Sequence, residues 1–201
     1  LYFKSGIIDP WFNLFIFYGT YATWKSIYNS NGKHLRWAVI SGASIGLGIM
    51  TKGPVALLVV LMVFGVFFLW KRFKVPIRFS QVLGFTLSLI IIGGLWFFIE
   101  WVSGRGHIIK DFISYQIRLL QTQDAGHGGP FYYHFVVLLI GCFPMSIFAL
   151  GGFFIKQEKG SQQDFQRIML LLFSLVLLLF SLVNTKIIHY SSLCYFPLSF
   201  F

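Results

Sequence analysis

Residues 46–58 read GLGIMTKGPVALL, and they place one lysine, Lys52, between two apolar runs. Each run is long enough to enter a bilayer, and the Gly53 and Pro54 that follow the lysine both break helices. An ammonium costs about 2.5–3.5 kcal/mol at the centre of a membrane helix and less near the interface. We therefore expect Lys52 to lie in a hairpin, where one membrane helix ends and the next begins. It either reaches along the helix to the water interface or faces an anionic group, and this stretch alone leaves both open.

The composition is that of a membrane protein. Of the 201 residues, 57% are hydrophobic and 20% are aromatic. Only 11% are charged, whereas an ordinary soluble domain has about 25% charged residues. The formal net charge of +10 raises nucleic-acid binding as an alternative, but the basic residues are scattered in short loops between apolar runs. That scatter is typical of positive-inside topology, so we predict a polytopic membrane protein with membrane lipid, and no nucleic acid, as its partner.

The fold predicted from these runs is an all-α transmembrane bundle. About seven spans can be drawn, because about 20 apolar residues cross about 30 Å of hydrocarbon. They cover residues 11–28, 37–50, 55–70, 82–102, 131–155 and 168–183, and residues from 191 onward. We take residues 1–201 as a single transmembrane domain. The chain starts without a methionine and ends in an apolar run, so we expect it to be an internal piece of a longer protein.

The loops predict the orientation of the spans. Ten of the sixteen Lys and Arg residues lie in three loops, residues 25–36, 71–78 and 156–167, which share one side if the spans alternate. That side is predicted to be the cytoplasm. The outer side then receives the one long connection, residues 103–130, in which apolar residues recur at helical spacing between 108 and 120. This pattern predicts an amphipathic helix on the outer membrane surface.

Polar residues that are far apart in the sequence map to this outer face. They are Asp9, Lys52, Arg118, Lys186, His189 and Tyr190. Helices of one bundle bring such residues around a common cavity, and the cations among them suit a phosphate held where membrane meets water. Tyr190 would add a hydroxyl donor. Asp9 would orient a lysine or bind a sugar hydroxyl.

The same residues also have explanations that need no ligand. Lysines at span ends reach to the interface, and Arg118 on an amphipathic helix would contact lipid head groups. Asp9 precedes Pro10, which is typical of a helix N-cap with proline at the first helical position. The small residues of the segment 42–48, GASIGLG, favour a helix-packing face over a nucleotide loop. The sequence has no HExxH or CxxC motif.

Four stretches together resemble a known family. In chain order they are IIDPWFNLF, GLGIMTKGPVALLVVL, HGGPFYYHFVVLLIGCFPMS and SLVNTKIIHYSSLCYFPLS. They are similar to the membrane half of bacterial lipid-linked glycosyltransferases of the GT-C fold, in particular the aminoarabinose transferases that modify lipid A and the related dolichyl-phosphate-mannose protein mannosyltransferases. The resemblance covers nearly the whole chain. It implies a multi-pass enzyme of the bacterial inner membrane that takes a sugar from a polyprenyl-phosphate carrier at the periplasmic face.

The resemblance also implies site residues and partners. Lys52 and Tyr190 match positions that line the carrier-phosphate cavity, and Asp9 matches an acidic position near the active site. Arg118 lies within one residue of a family arginine. The donor would be a polyprenyl-phosphate-linked sugar, and the acceptor would be lipid A, another glycan or a protein.

Two departures from the family limit the predicted chemistry. A histidine that is associated with a metal ion in aminoarabinose transferases falls at Gln116, so we expect neither a metal nor a cofactor here. The family's catalytic aspartate belongs to an outer loop that would precede Leu1, so the general base is expected upstream of this chain.

Three classes of function remain open on the sequence. The first is metal-independent sugar transfer with inversion, in which cations hold the charge that develops on the leaving phosphate. The second is a transporter or flippase for an anionic lipid, which would use the same cavity without chemistry; the chain has no detectable repeated halves, and this weighs against it. The third is a structural scaffold, in which the polar residues would not cluster.

Overall fold

The computed structural model describes residues 7–29, 31–121, 129–155, 160–183 and 186–201, except for the side chains at 116 and 119–121. Regular structure in these ranges is helical, as predicted. The helices are α1 (Asp9–Tyr28), α2 (His34–Lys52), α3 (Val55–Trp70), α4 (Phe79–Val102), α5 (Gly106–Gln121), α6 (Tyr133–Gly141), α7 (Met145–Gly152), α8 (Ser161–Leu182), a 3₁₀ helix (Ile188–Cys194) and α9 (Tyr195–Phe200).

The chain divides into two compact units. The first unit comprises Leu1–Leu61 and Phe68–Ile117, and the second comprises Met62–Phe67 and Arg118–Phe201. Each unit has buried apolar side chains of its own, such as Ile16 and Ile45 in the first and Ile168 and Met169 in the second. The single-domain interpretation stays a prediction.

In the first unit, α2 packs against both α1 and α4, and glycines allow the close approach. A Cβ placed on Gly42 would lie 2.2 Å from the Phe85 carbonyl oxygen and from Ser88 Oγ. A Cβ on Gly46 would lie 2.9 Å from the backbone nitrogen of Gly93. Such contacts leave no room for a side chain on this face of α2. The prediction that the segment 42–48 forms a helix-packing face is therefore confirmed.

Hydrogen bonds join the same helices at their loop ends. Gln81 Nε2 of α4 and His34 Nδ1 of α2 both contact the carbonyl oxygen of Ser26 in α1, the latter at 2.6 Å. Further along α1, Ser41 Oγ donates to the Gly19 carbonyl oxygen at 2.8 Å. These bonds satisfy polar groups that would otherwise be costly in an apolar bundle.

The break after Lys52 forms as the sequence predicts. Helix α2 ends at Lys52 and α3 begins at Val55. Gly53 adopts φ 91°, a left-handed conformation that favours glycine, and its N–H donates to the Ile49 carbonyl oxygen at 2.8 Å. Pro54 then starts the next helical segment without needing an N–H donor.

Within the described residues, α4 and α8 are long and apolar enough to cross a membrane, and α6 with α7 adds a third span if that bent pair counts as one. Helix α4 leaves large apolar side chains such as Phe79, Ile90 and Ile91 exposed. An apolar surface of this kind is typical of a helix that contacts lipid. The count of seven spans stays a prediction.

The second unit departs from the drawn spans. The span over residues 131–155 is not one helix, because α6 and α7 meet at an angle of 107°. Pro144 lies in the break and cannot donate the N–H that a continuous helix needs. Helix α8 begins at Ser161, before the drawn start at residue 168. The last drawn span, from residue 191, lies on the 3₁₀ helix and the short α9.

Gly42→Ala in the full-length protein is expected to lower the free energy of unfolding by about 1–3 kcal/mol, because the added methyl group would overpack the α2–α4 contact. The measurement is the thermal unfolding midpoint in detergent. Gly94→Ala is the matched control, because a Cβ there meets nothing within 4 Å. Equal midpoints for the two variants would contradict the close approach.

Candidate functional site

An ion pair joins the two ends of the α1–α2 hairpin that lie farthest from its loop. Lys52 Nζ lies 2.5 Å from Asp9 Oδ1. Asp9 is buried, with 4% of its surface exposed, whereas 30% of the Lys52 side chain is exposed. The pair therefore lies at the edge of the first unit, with the carboxylate inside and the ammonium partly accessible.

The helix ends favour both charges of this pair. Asp9 is in the first turn of α1, where unpaired N–H groups give the helix a positive end. Lys52 is in the last turn of α2, where unpaired carbonyls give a negative end. Each such interaction stabilises by about 0.3–1 kcal/mol near a surface. The Phe12 ring adds a cation–π contact, with its centroid 5.8 Å from Lys52 Nζ.

The alternative role of Asp9 as a helix N-cap is wrong. Ile8 occupies the N-cap position of α1, and it makes no side-chain capping hydrogen bond. The Asp9 carboxylate instead pairs with Lys52, 43 positions further along the chain. Asp9 thus has the lysine-orienting role that the sequence raised as one option.

In the second unit, Lys186 closes the C-terminal end of α8. Its Nζ donates to the carbonyl oxygens of Phe180, Ser181 and Val183, at 3.1, 2.6 and 2.7 Å. Only 5% of the residue is exposed. Burial lowers the pKa of this ammonium, while carbonyl acceptors favour its charged form. A phosphate at Lys186 would have to displace one of these carbonyls.

The remaining predicted site residues belong to the second unit as well. The Tyr190 ring packs against Phe180 and His189, with centroids 5.3 and 5.5 Å away. Arg118 is exposed in the last turn of α5, the helix that the amphipathic pattern predicts. The structure thus brings Asp9 and Lys52 together, and it places Tyr190 and His189 side by side. The common cavity for all of the predicted residues stays a prediction.

His134 is a buried polar residue that the sequence did not single out. It is 0% exposed and lies between the rings of Tyr133 and Phe180. Neither of its ring nitrogens has a hydrogen-bond partner within the described part of the chain. The only signal in the sequence is a histidine inside an apolar aromatic run, and that signal does not distinguish a buried side chain from an exposed one.

The corner between α4 and α5 is held by a second ion pair that the sequence did not predict. Arg105 Nε and Nη2 donate to the two carboxylate oxygens of Glu100, at 2.7 and 3.2 Å. This two-pronged contact raises the pKa of Arg105. Phe112 of α5 then packs on Trp96 and Phe97 of α4, which keeps α5 folded back onto α4.

No group of three or more His, Cys, Asp or Glu side chains that could hold a metal ion occurs among the residues that the structure describes. Gln116, where the family histidine would fall, has its side chain outside that description. The absence of a metal stays a prediction.

The comparisons with known proteins match nearly the whole chain to one group of enzymes. A protein of Wigglesworthia glossinidia brevipalpis, named undecaprenyl phosphate-alpha-4-amino-4-deoxy-L-arabinose arabinosyl transferase, is 29% identical over 97% of this chain and 34% of its own length. Proteins with that name from Pseudomonas fluorescens and Erwinia tasmaniensis are 25% and 26% identical over 96% of this chain, and over 34% and 35% of their own lengths. The chain resembles the aminoarabinose transferases.

The resemblance seen in the sequence motifs is thereby confirmed. The chain spans about a third of the length of the curated relatives it matches. No protein-family model matches the chain, and no solved structure matches it.

Asp9→Asn in the full-length protein is expected to lower the free energy of unfolding by about 1–3 kcal/mol, because it removes a charged hydrogen-bond partner and leaves Lys52 without its carboxylate. The double variant Asp9→Asn with Lys52→Met is expected to lose less than the sum of the two single changes. A double-mutant cycle on the thermal unfolding midpoints measures this coupling. Strictly additive effects would contradict a stabilising pair.

Lys186→Met is expected to lower the free energy of unfolding by about 1–3 kcal/mol, because the last carbonyls of α8 lose their donor while remaining buried. Lys110→Met, on the exposed surface of α5, is the control and should leave the unfolding midpoint unchanged. If both variants unfold at the same temperature, Lys186 does not cap α8.

Proposed function

We propose that this chain is the carrier-binding part of a membrane glycosyltransferase, which moves a sugar from a polyprenyl-phosphate carrier to an acceptor at the periplasmic face. The single observation that carries the proposal is the similarity to aminoarabinose transferases along 96–97% of the chain. The names of those relatives point to undecaprenyl phosphate as the carrier and aminoarabinose as the sugar. Lipid A is the proposed acceptor, and another glycan or a protein is the alternative.

The proposed architecture is a GT-C-type bundle in the bacterial inner membrane, with about seven spans. The exposed apolar surface of α4 and the amphipathic pattern of α5 support a membrane location. The basic loops at residues 25–36 and 71–78 support an orientation with the Asp9–Lys52 end toward the periplasm.

Lys52 is proposed to hold the phosphate of the carrier. Its ammonium is partly exposed, and Asp9 fixes its position through the 2.5 Å contact. A lysine held in place in this way loses little side-chain freedom when a phosphate binds. The carboxylate also cancels part of the lysine's charge, so further cations are needed to make the site attractive to a phosphate.

Arg118 and Tyr190 are proposed to complete the phosphate site. Arg118 is exposed at the end of α5, where its planar fork would suit two phosphate oxygens. Tyr190 would donate a hydrogen bond, with its ring held by Phe180 and His189. Lys186 supports this region by closing α8, and its charge adds to the local positive potential.

The proposed reaction breaks the bond between the anomeric carbon of the sugar and the carrier phosphate oxygen. The acceptor hydroxyl oxygen forms the new bond from the opposite face, its proton passes to a general base, and the bonding electrons leave with the carrier phosphate. The cations named above stabilise the charge that develops on that phosphate. The general base is assigned to none of these residues.

Lys52→Ala in the full-length protein is expected to lower transfer by about 10²–10³-fold, the range typical of removing one stabilising group from a developing anion. The assay uses undecaprenyl-phosphate aminoarabinose as donor and lipid A as acceptor, with mass spectrometry of the product. Lys52→Arg keeps the charge and should retain part of the activity.

Lys74→Ala is the control for removing a lysine elsewhere, and it should transfer normally. Unchanged turnover in Lys52→Ala would remove Lys52 from the site. If wild-type protein binds the donor and moves it across the membrane without forming product, the transporter alternative replaces the enzyme.

A further inference from the structure

A cavity of about 320 Å³ lies at the loop end of the α1–α2 hairpin, in the first unit. Three cationic side chains line it, Lys25 from the last turns of α1 and Lys33 and Arg36 from the start of α2. Among the residues that the structure describes, no acidic one lines it. Lys25 lies sixteen residues after Asp9 on α1, which is about 24 Å along a helix axis. The cavity is therefore separate from the Asp9–Lys52 site.

No described carboxylate forms an ion pair with the cations around this cavity. Lys25 Nζ rests over the Trp24 and Tyr21 rings, at 4.8 and 5.6 Å from their centroids. Across the described part of the chain, neither Lys33 nor Arg36 forms an ion pair. Three positive charges that face one small cavity repel each other unless an anion joins them.

An unsatisfied amide points to a ligand in the same place. Asn29 lines the cavity, and its Nδ2 is buried without a hydrogen-bond partner among the described residues. Its Oδ1 accepts a hydrogen bond from the backbone N–H of Asn31 at 3.1 Å. This bond holds the side-chain amide in place and leaves its Nδ2 donor without an acceptor. A buried donor without a partner is destabilising, and an acceptor such as a phosphate or glycerol oxygen removes that cost.

The remaining wall is formed by Asn31 and by three largely apolar side chains. Tyr18, Trp37 and Ile40 supply this apolar surface. A free phosphate would gain nothing from this surface, whereas an amphipathic ligand would use it for its acyl chains. Basic pockets between membrane helices at the cytoplasmic side suit anionic lipid head groups.

We propose that this cavity binds the head group of an anionic phospholipid of the phosphatidylglycerol class. The phosphate accepts from Lys33 and Arg36, and Lys25 adds positive charge from the α1 side. Asn29 Nδ2 donates to a phosphate or glycerol oxygen. The acyl chains lie against Tyr18, Trp37 and Ile40. This site does not depend on the proposed function.

The test compares the full-length protein in nanodiscs of phosphatidylcholine with nanodiscs that also contain phosphatidylglycerol. Native mass spectrometry counts the lipids that stay bound to the protein. Because one basic residue near an anionic surface changes binding about fivefold, Lys33→Gln with Arg36→Gln is expected to weaken the phosphatidylglycerol preference by about 20-fold. Arg72→Gln with Lys74→Gln removes the same two charges from another basic loop and should keep the wild-type preference.

A second variant keeps the test decisive if the Lys33→Gln with Arg36→Gln protein does not fold. Asn29→Ala removes the unpaired donor without changing charge, and it should also weaken retention of phosphatidylglycerol. The proposal would be overturned if Asn29→Ala retained phosphatidylglycerol like the wild type and the two double variants lost the preference equally. The effect would then come from general surface charge. Displacement of the bound lipid by inorganic phosphate added to the nanodiscs would also overturn it, in favour of a free phosphate.

Discussion

The contact between Asp9 and Lys52 ties the start of α1 to the end of α2. A lysine between two apolar runs is unfavourable unless its ammonium finds water or a counter-ion. Asp9, at the start of α1, supplies the counter-ion. Each charge lies at the helix end whose dipole favours it. Because the pair joins the start of α1 to the end of α2, it fixes how far the two helices slide past each other.

The same pair limits how Lys52 can act on a phosphate. An isolated ammonium is mobile and carries its full charge, whereas this one is held by a buried carboxylate and is partly neutralised. What it offers a carrier phosphate is a fixed position more than a strong field. Lys186 differs from Lys52, because its ammonium is buried and donates hydrogen bonds to the carbonyl oxygens at the end of α8.

Helix α1 separates two kinds of charge along its length. Asp9 begins it and is paired with Lys52, while Lys25 near its other end contacts aromatic rings and borders a cavity that no described acidic residue lines. The two ends of this helix therefore present different chemistry. The lipid-linked substrate and the proposed head group would then bind at opposite ends of one hairpin, so each can be tested without disturbing the other.

Features that depend on neighbouring residues can be predicted from the amino-acid sequence alone. Gly53 and Pro54 set the break after Lys52, and the apolar periodicity between 108 and 120 predicted α5. Partners from distant segments were decided only by tertiary structure. From the sequence, Asp9 could bind a sugar hydroxyl, cap a helix or orient a lysine. The packing of α1 against α2 brings it to Lys52, 43 positions along the chain. The burial of His134 also depends on packing across helices, which local spacing does not encode.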